Sequence, residues 1–289
     1  MIRIFLLLLF VIFQGACASA AALDALTKND PGARKAAKDI AYGEKDRQKL
    51  DVYVPEVQAE SAPLMIFIYG GSWKDGSKDD YEFVGHAFAS RGFITILADY
   101  RLVPEVRYPE FVEDCAASVK WAVDHAADYG GDPESIFLSG HSAGAYNVMM
   151  VTLAPEFLES FDLSSENIAG TIGISGPYSF LPLAVDATKA AFAHVEDLES
   201  TQPIERVGEG GPPILLLNGS DDQVVSPRNV PKLAEILSEA NREVETKIYP
   251  GLTHTDTVMA LSLLFRDKAP VLDDIINFTA EVLNDTSPQ

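Results

Sequence analysis

Ser142 stands at the centre of Gly140-His141-Ser142-Ala143-Gly144, a G-x-S-x-G pentapeptide that presents a serine as a nucleophile. A serine hydroxyl attacks poorly near neutral pH unless a positioned imidazole removes its proton. The chain offers His86, His125, His141, His194 and His254. His86 and His125 fall inside helix-like segments and read as packing residues. His141 belongs to the pentapeptide itself, and its backbone direction turns its side chain away from that of Ser142. His194 and His254 follow the serine. The imidazole in turn needs a carboxylate to fix its tautomer and stabilise its protonated form. Asp221 and Asp222 lie just past an apolar run, Ile214 to Leu217, where an acid can reach a neighbouring loop. Asp222 fits the G-x-x-D-x-x-V spacing from Gly219 to Val225, with Asp221 its close competitor. Acyl transfer also needs N–H donors for the developing oxyanion. Ala143 supplies one, and the loop Tyr69-Gly70-Gly71-Ser72-Trp73, just after an apolar run, is placed to supply others.

These residues need a scaffold, and the hydrophobic pattern predicts one. Leu64 to Tyr69, Phe93 to Ala98, Ile136 to Ser139, Ile168 to Ser175, Ile214 to Leu217 and Glu243 to Tyr249 read as strands. Between them, residues 81–91, 111–127, 143–153, 230–240 and 271–283 read as helices. Strands alternating with helices predict an α/β fold with a mainly parallel sheet covered on both faces. Residues 39–42 and 50–55 predict an antiparallel hairpin at its edge. Leu23 to Lys38 reads as a polar helical or loose segment. Gly176 to Pro212 has no clean period and is expected to cover the carboxyl edge of the sheet, where sites of such folds lie.

Several motifs occur together and in order. They are Tyr69 to Trp73, Asp99-Tyr100-Arg101-Leu102 with Tyr108-Pro109, Gly130-Gly131-Asp132-Pro133, Gly140 to Gly144, Gly219 to Val225, and His254. Over roughly residues 40 to 285 the chain resembles the α/β-hydrolase superfamily. Within it, the chain is most similar to small bacterial carboxylesterases of the feruloyl-esterase-like and kynurenine-formamidase-like group, with an HGGG-type oxyanion loop. The chain order of that superfamily, serine then acid then histidine, excludes His194 and selects His254. The resemblance implies Ser142 as nucleophile, Asp222 as acid and His254 as base, with Gly71, Ser72 and Ala143 as oxyanion donors. Tyr69 replaces the usual first histidine of the loop, and Ser72 replaces a glycine. Asp99-Tyr100-Arg101 is implied to be a structural brace.

The function implied is a serine carboxylic-ester hydrolase acting on short-chain or aryl esters. Amide chemistry on the same triad, as in arylformamidases, is the alternative. A non-catalytic binding protein would be expected to lack a triad member. No long cap insertion is visible, which favours short acyl chains over long lipids, and Trp73, Phe180 and Phe192 are candidate pocket walls. No G-x-G-x-x-G follows the first strand and no histidine/cysteine cluster has zinc spacing, so neither cofactor nor metal is expected.

The 289-residue chain carries 22 basic and 43 acidic residues, a net charge of −21. That balance opposes nucleic-acid binding, which rests on basic groups. Oligomeric state is not legible. Met1-Ile2-Arg3, an unbroken apolar run from Ile4 to Phe13 and small residues from Gly15 to Ala20 have the pattern of an export signal at 1–20. Cleavage after Ala20 leaves an extension at 21–38 and a catalytic domain at 39–289. Cys17 offers a lipid-anchor alternative, and with it the one expected membrane contact. Cys115 then has no partner for an internal disulfide.

Overall fold

A computed structural model describes residues 29–57 and 61–286; the expected export signal, with Cys17 and Ala20, lies outside the described residues. Eight strands form one sheet: β1 (Ala33–Ala41), β2 (Lys49–Pro55), β3 (Ala62–Ile68), β4 (Ile94–Ala98), β5 (Gly131–His141), β6 (Gly170–Ile174), β7 (Ile214–Gly219) and β8 (Val244–Tyr249). Their spatial order is β1-β2-β4-β3-β5-β6-β7-β8. β1 pairs antiparallel with β2, and β2 antiparallel with β4; every later pairing is parallel.

The central strands are buried on both faces because helices cover both. β3, β4, β6 and β7 are therefore almost wholly apolar, with no alternation to mark an outer face. The covering helices are α1 (Glu82–Ala89), α2 (Glu110–His125), α3 (Ala143–Leu153), α4 (Asp186–Phe192), α5 (Asn229–Glu239), α6 (His254–Met259) and α7 (Val271–Thr286). α3 is buried on every side, and its residues are apolar apart from Asn147, Thr152 and the ring hydroxyl of Tyr146. That suits a helix seated at the centre of the sheet. Among the described residues, no helix is long and apolar enough to cross a membrane.

One sequence reading is corrected. The sheet begins at Ala33, inside the stretch read as a polar helical or loose segment, so the boundary at residue 39 falls within β1. Gly176 to Pro212 contains one short helix, α4.

A brace supports the carboxyl edge of β3 and β4. Arg101 pairs in a forked geometry with the buried Asp114, at 2.7–3.1 Å. Tyr100 stacks on Tyr69 with ring centres 4.8 Å apart, and Asp99 accepts the Lys78 N–H at 2.8 Å. Lys78 itself is 2% exposed. Its Nζ reaches Asp39 at 2.7 Å, Asp51 at 2.8 Å and Asp79 at 3.1 Å. Burial opposes its charge, but these hydrogen bonds prevail and hold its pKa above the ordinary lysine value.

Candidate active site

Ser142 occupies the one-residue turn between β5 and α3, at φ 55° and ψ −120°. A residue with a Cβ rarely adopts this backbone, and it persists where surrounding structure enforces it. Two contacts do so here. The Ser142 N–H donates to the Ile174 carbonyl of β6 at 2.9 Å. On the other side the turn is pressed against the β3 edge. A Cβ on Gly144 would lie 2.0 Å from the Ile68 carbonyl oxygen, and one on Gly70 would lie 2.9 Å from the Ser142 Cβ. Both glycines are required by close approach rather than by flexibility.

His254 opens α6, where the Thr253 side chain and Asp256 form a capping box. That cap fixes the first turn, so the imidazole is presented from a rigid helix end. Its Nε2 is 2.9 Å from the Ser142 Oγ. Its Nδ1 is 2.7 Å from Asp222 Oδ2. The Asp222 carboxylate follows β7 and is held by its other oxygen, which accepts the N–H groups of Val224 at 2.9 Å and Val225 at 2.8 Å. His254 and Asp222 are 3% and 5% exposed. Nδ1 faces the carboxylate and Nε2 the serine hydroxyl, so a neutral ring that donates from Nδ1 offers Nε2 as the acceptor of the serine proton. Asp221 instead points outward and accepts from the Ser220 hydroxyl at 2.8 Å. His194 is elsewhere, bonded to the Tyr108 carbonyl at 2.7 Å.

The glycine loop after β3 approaches the same serine. Gly71, Ser72 and Trp73 have φ of 140°, 54° and 60°, a run of left-handed backbone that turns the chain across the top of Ser142. Trp73 pins it there: its indole N–H donates to Asn147 Oδ1 of α3 at 3.0 Å, and its ring packs among Phe111, Tyr146, Phe180 and Phe192. Tyr69 holds the loop from behind, accepting from Arg47 Nη2 at 2.6 Å. Ala143 is the first residue of α3, so no turn of the helix uses its N–H. The positive end of the helix dipole faces the serine with it. Gly71 and Ser72 line a cavity with Ser142, and Ala143 follows the serine at the start of α3.

Two cavities meet at the serine. The larger, about 490 Å³, is walled by Trp73, Phe180, Val185 and Val225 and also touches Ala143. The smaller, about 260 Å³, is walled by Gly70, Gly71, Asp75, Tyr81, His141 and His254. Ser72, Lys74, Ser142 and Val224 border both. Trp73 and Phe180 are pocket walls as expected, whereas Phe192 is fully buried core behind them.

The family model BD-FAE matches residues 50–237, nearly two thirds of the sequence. The chain belongs to this family. Among curated relatives of this BD-FAE chain, a probable isoprenylcysteine alpha-carbonyl methylesterase of Oryza sativa subsp. japonica is 30% identical, over 87% of this chain and 64% of the relative. The esterase LipC of Mycobacterium tuberculosis is 28% identical, over 74% of this chain and 58% of its own length. A kynurenine formamidase of Danio rerio is 31% identical over 50% of this chain and 47% of its own. The chain spans about half to two thirds of the length of the curated relatives it matches. Among solved structures, esterase B of Lactobacillus rhamnosis superposes with a TM-score of 0.80 at 20% identity, covering 93% of both chains. Esterase 2 of Thermogutta terrifontis gives 0.72 at 22% identity, covering 91% of this chain and 98% of the other. The BD-FAE chain therefore has the α/β-hydrolase fold.

One residue at the site escaped sequence reasoning. His141 is buried, and its ring centre lies 4.8 Å from that of His254. Its Nε2 is 3.1 Å from the His254 carbonyl oxygen, which can only accept. Burial, and then the neighbouring His254, push its pKa well below the usual histidine value, so it is the neutral donor. Strand alternation indicates which way a side chain leaves its own strand; it does not reveal which loop comes to rest against it.

Proposed function

We propose that this BD-FAE chain is a serine carboxylic-ester hydrolase that works through an acyl-enzyme on short-chain or aryl esters. The observation that carries the reading is the continuous line from Ser142 Oγ through His254 to Asp222, at 2.9 and 2.7 Å. Ser142 Oγ attacks the ester carbonyl carbon as its proton passes to His254 Nε2. The carbonyl oxygen becomes an oxyanion beside the N–H groups of Ala143, Ser72 and Gly71. Collapse breaks the bond to the alcohol oxygen, which takes the proton from His254 Nε2. Water then adds to the acyl carbon, giving its proton to the same nitrogen. The acid departs, and Ser142 Oγ recovers the proton.

The two cavities give this cycle a direction. The group that protonates the leaving oxygen must sit beside it. His254 borders the smaller cavity, which therefore receives the alcohol, and the acyl group takes the larger, apolar one. The relatives named as esterases support ester chemistry. Hydrolysis of an aryl formamide is a second reading, supported by the similarity to a kynurenine formamidase.

Steady-state hydrolysis by purified protein of p-nitrophenyl acetate, butyrate and decanoate, a feruloyl ester and N-formylkynurenine tests both readings. Ester turnover should exceed formamide turnover, and Ser142→Ala should lower it by about 10³-fold or more. Full activity in Ser142→Ala sinks the mechanism, and dominant formamide cleavage selects the second reading.

A further inference from the structure

Arg242 lies at the opposite end of the sheet from Ser142, in the turn between α5 and β8. It is 7% exposed. Its Nη2 makes one long contact, 3.4 Å, to the Pro212 carbonyl, and its Nε has no partner among the described residues. Burial alone pushes its pKa down, with no compensating acidic neighbour. A buried cation without a counterion is costly, and proteins ordinarily pair one. This chain has 43 acidic residues, yet no described carboxylate is placed against this guanidinium.

Arg242 borders a cavity of about 100 Å³, which Thr152, Ser165, Glu209 and the Gly208–Gly210 loop also line, together with apolar residues such as Leu158. Glu209 is exposed on the rim and forms no ion pair with Arg242. The N–H groups of Gly208, Glu209 and Gly210 make no main-chain hydrogen bond to a described residue. Thr152 belongs to the last turn of α3. A helix end of that polarity carries roughly half a negative charge, so it offsets only part of the guanidinium's. The volume is that of roughly three water molecules at ~30 Å³ each, room for a carboxylate with a very short carbon tail.

We propose that Arg242 and the Gly208–Gly210 loop form a binding site for a small monocarboxylate, separate from the hydrolytic site. The planar fork of an arginine suits a carboxylate, with loop N–H groups completing the shell. Occupancy stabilises the junction of α3, β7 and β8 and does not depend on chemistry at Ser142.

The test is thermal unfolding and titration calorimetry of the whole chain with sodium acetate, against sodium chloride at equal ionic strength and inorganic phosphate as a second probe. Wild type and Ser142→Ala should both show a saturable rise in Tm on the order of 2–4 °C with acetate. Arg242→Met should lose it while keeping ester hydrolysis, which shows that it folds. If Arg242→Met does not fold, Arg242→Lys keeps the charge without the fork and should bind acetate at least about ten times more weakly. No saturable response in wild type overturns the site. So does an equal response in Arg242→Met, or a response to phosphate without one to acetate.

Discussion

His141 donates its Nε2–H to the main-chain carbonyl of His254 across 3.1 Å, so the residue before the nucleophile holds the backbone of the base. The nucleophile's strand and the base's helix are locked together by one hydrogen bond beside the reacting atoms. Losing one such bond costs about 0.5–1.5 kcal/mol. His141→Ala should therefore lower kcat about ten-fold with little change in KM, and His141→Gln should recover part of it.

The same residue carries a pH signature. Its folded pKa lies well below the ordinary histidine value, while the unfolded chain takes up a proton near pH 6.5. Above that pH both states are neutral and nothing is lost. As pH falls below about 6.5 the unfolded state gains a proton that the folded state refuses, so stability declines toward the folded pKa. Urea unfolding of wild type against His141→Gln from pH 7.5 to 5 should show a steeper decline in wild type, by at most about 1.4 kcal/mol per pH unit. Equal slopes would contradict a buried neutral imidazole.

Asp222 and Asp221 are adjacent in sequence and differ in reach. Asp222→Asn frees the imidazole to adopt the wrong tautomer, and kcat should fall by about 10³–10⁴-fold, as in other serine triads. The Asp221 carboxylate hydrogen-bonds Ser220, away from His254, and Asp221→Asn should leave kcat within about two-fold. Comparable losses in both would reassign the acid.

Val224 is 68% exposed, a large apolar side chain at the border of both cavities. Val224→Trp should narrow the larger cavity and cut kcat/KM for a feruloyl ester at least about ten-fold, while acetate esters change little. One pocket contact is typically worth ~1–3 kcal/mol of discrimination. Parallel loss on both esters would place the damage in the Asp222 loop instead.

Lys78→Met should be the most disruptive substitution remote from the serine. It leaves the buried Asp51 with Lys35 at 2.8 Å and the Asp39 N–H at 2.9 Å to meet its charge. Breaking a buried pair from one side costs about 3–5 kcal/mol. The Lys35 contact should keep the loss in chemical denaturation near the lower figure.

Much of this arrangement is legible in the chain because strong local signals coincide. α3 spans the residues that the apolar run after the pentapeptide predicts, since a glycine-flanked turn marks its start and burial on all sides removes any ambiguity of face. β1 is harder to read. It lies at the sheet's edge with no consistently buried face, and its sequence, ARKAAKDIA, lacks the alternation that marks a strand. The helix that opens at His254 is short, and the sequence reading leaves it as a turn. Its one signal is the Thr253-x-x-Asp256 capping box. Contacts between residues distant in the chain, such as His141 with His254 or Trp73 with Asn147, leave no local trace, because the sheet and not the nearby sequence brings them together.

The backbone of Ser142 sets durability against reactivity. At φ 55° and ψ −120° a serine is held where only glycine rests without strain, a cost on the order of 1–3 kcal/mol. A chain selected only to survive heat would place glycine there and gain that energy. Keeping serine means that the turn between β5 and α3 tolerates a permanent internal load. Randomised libraries screened for thermal resilience alone should therefore drift toward inactive Ser142→Gly variants, and only a screen for turnover will hold the serine in place.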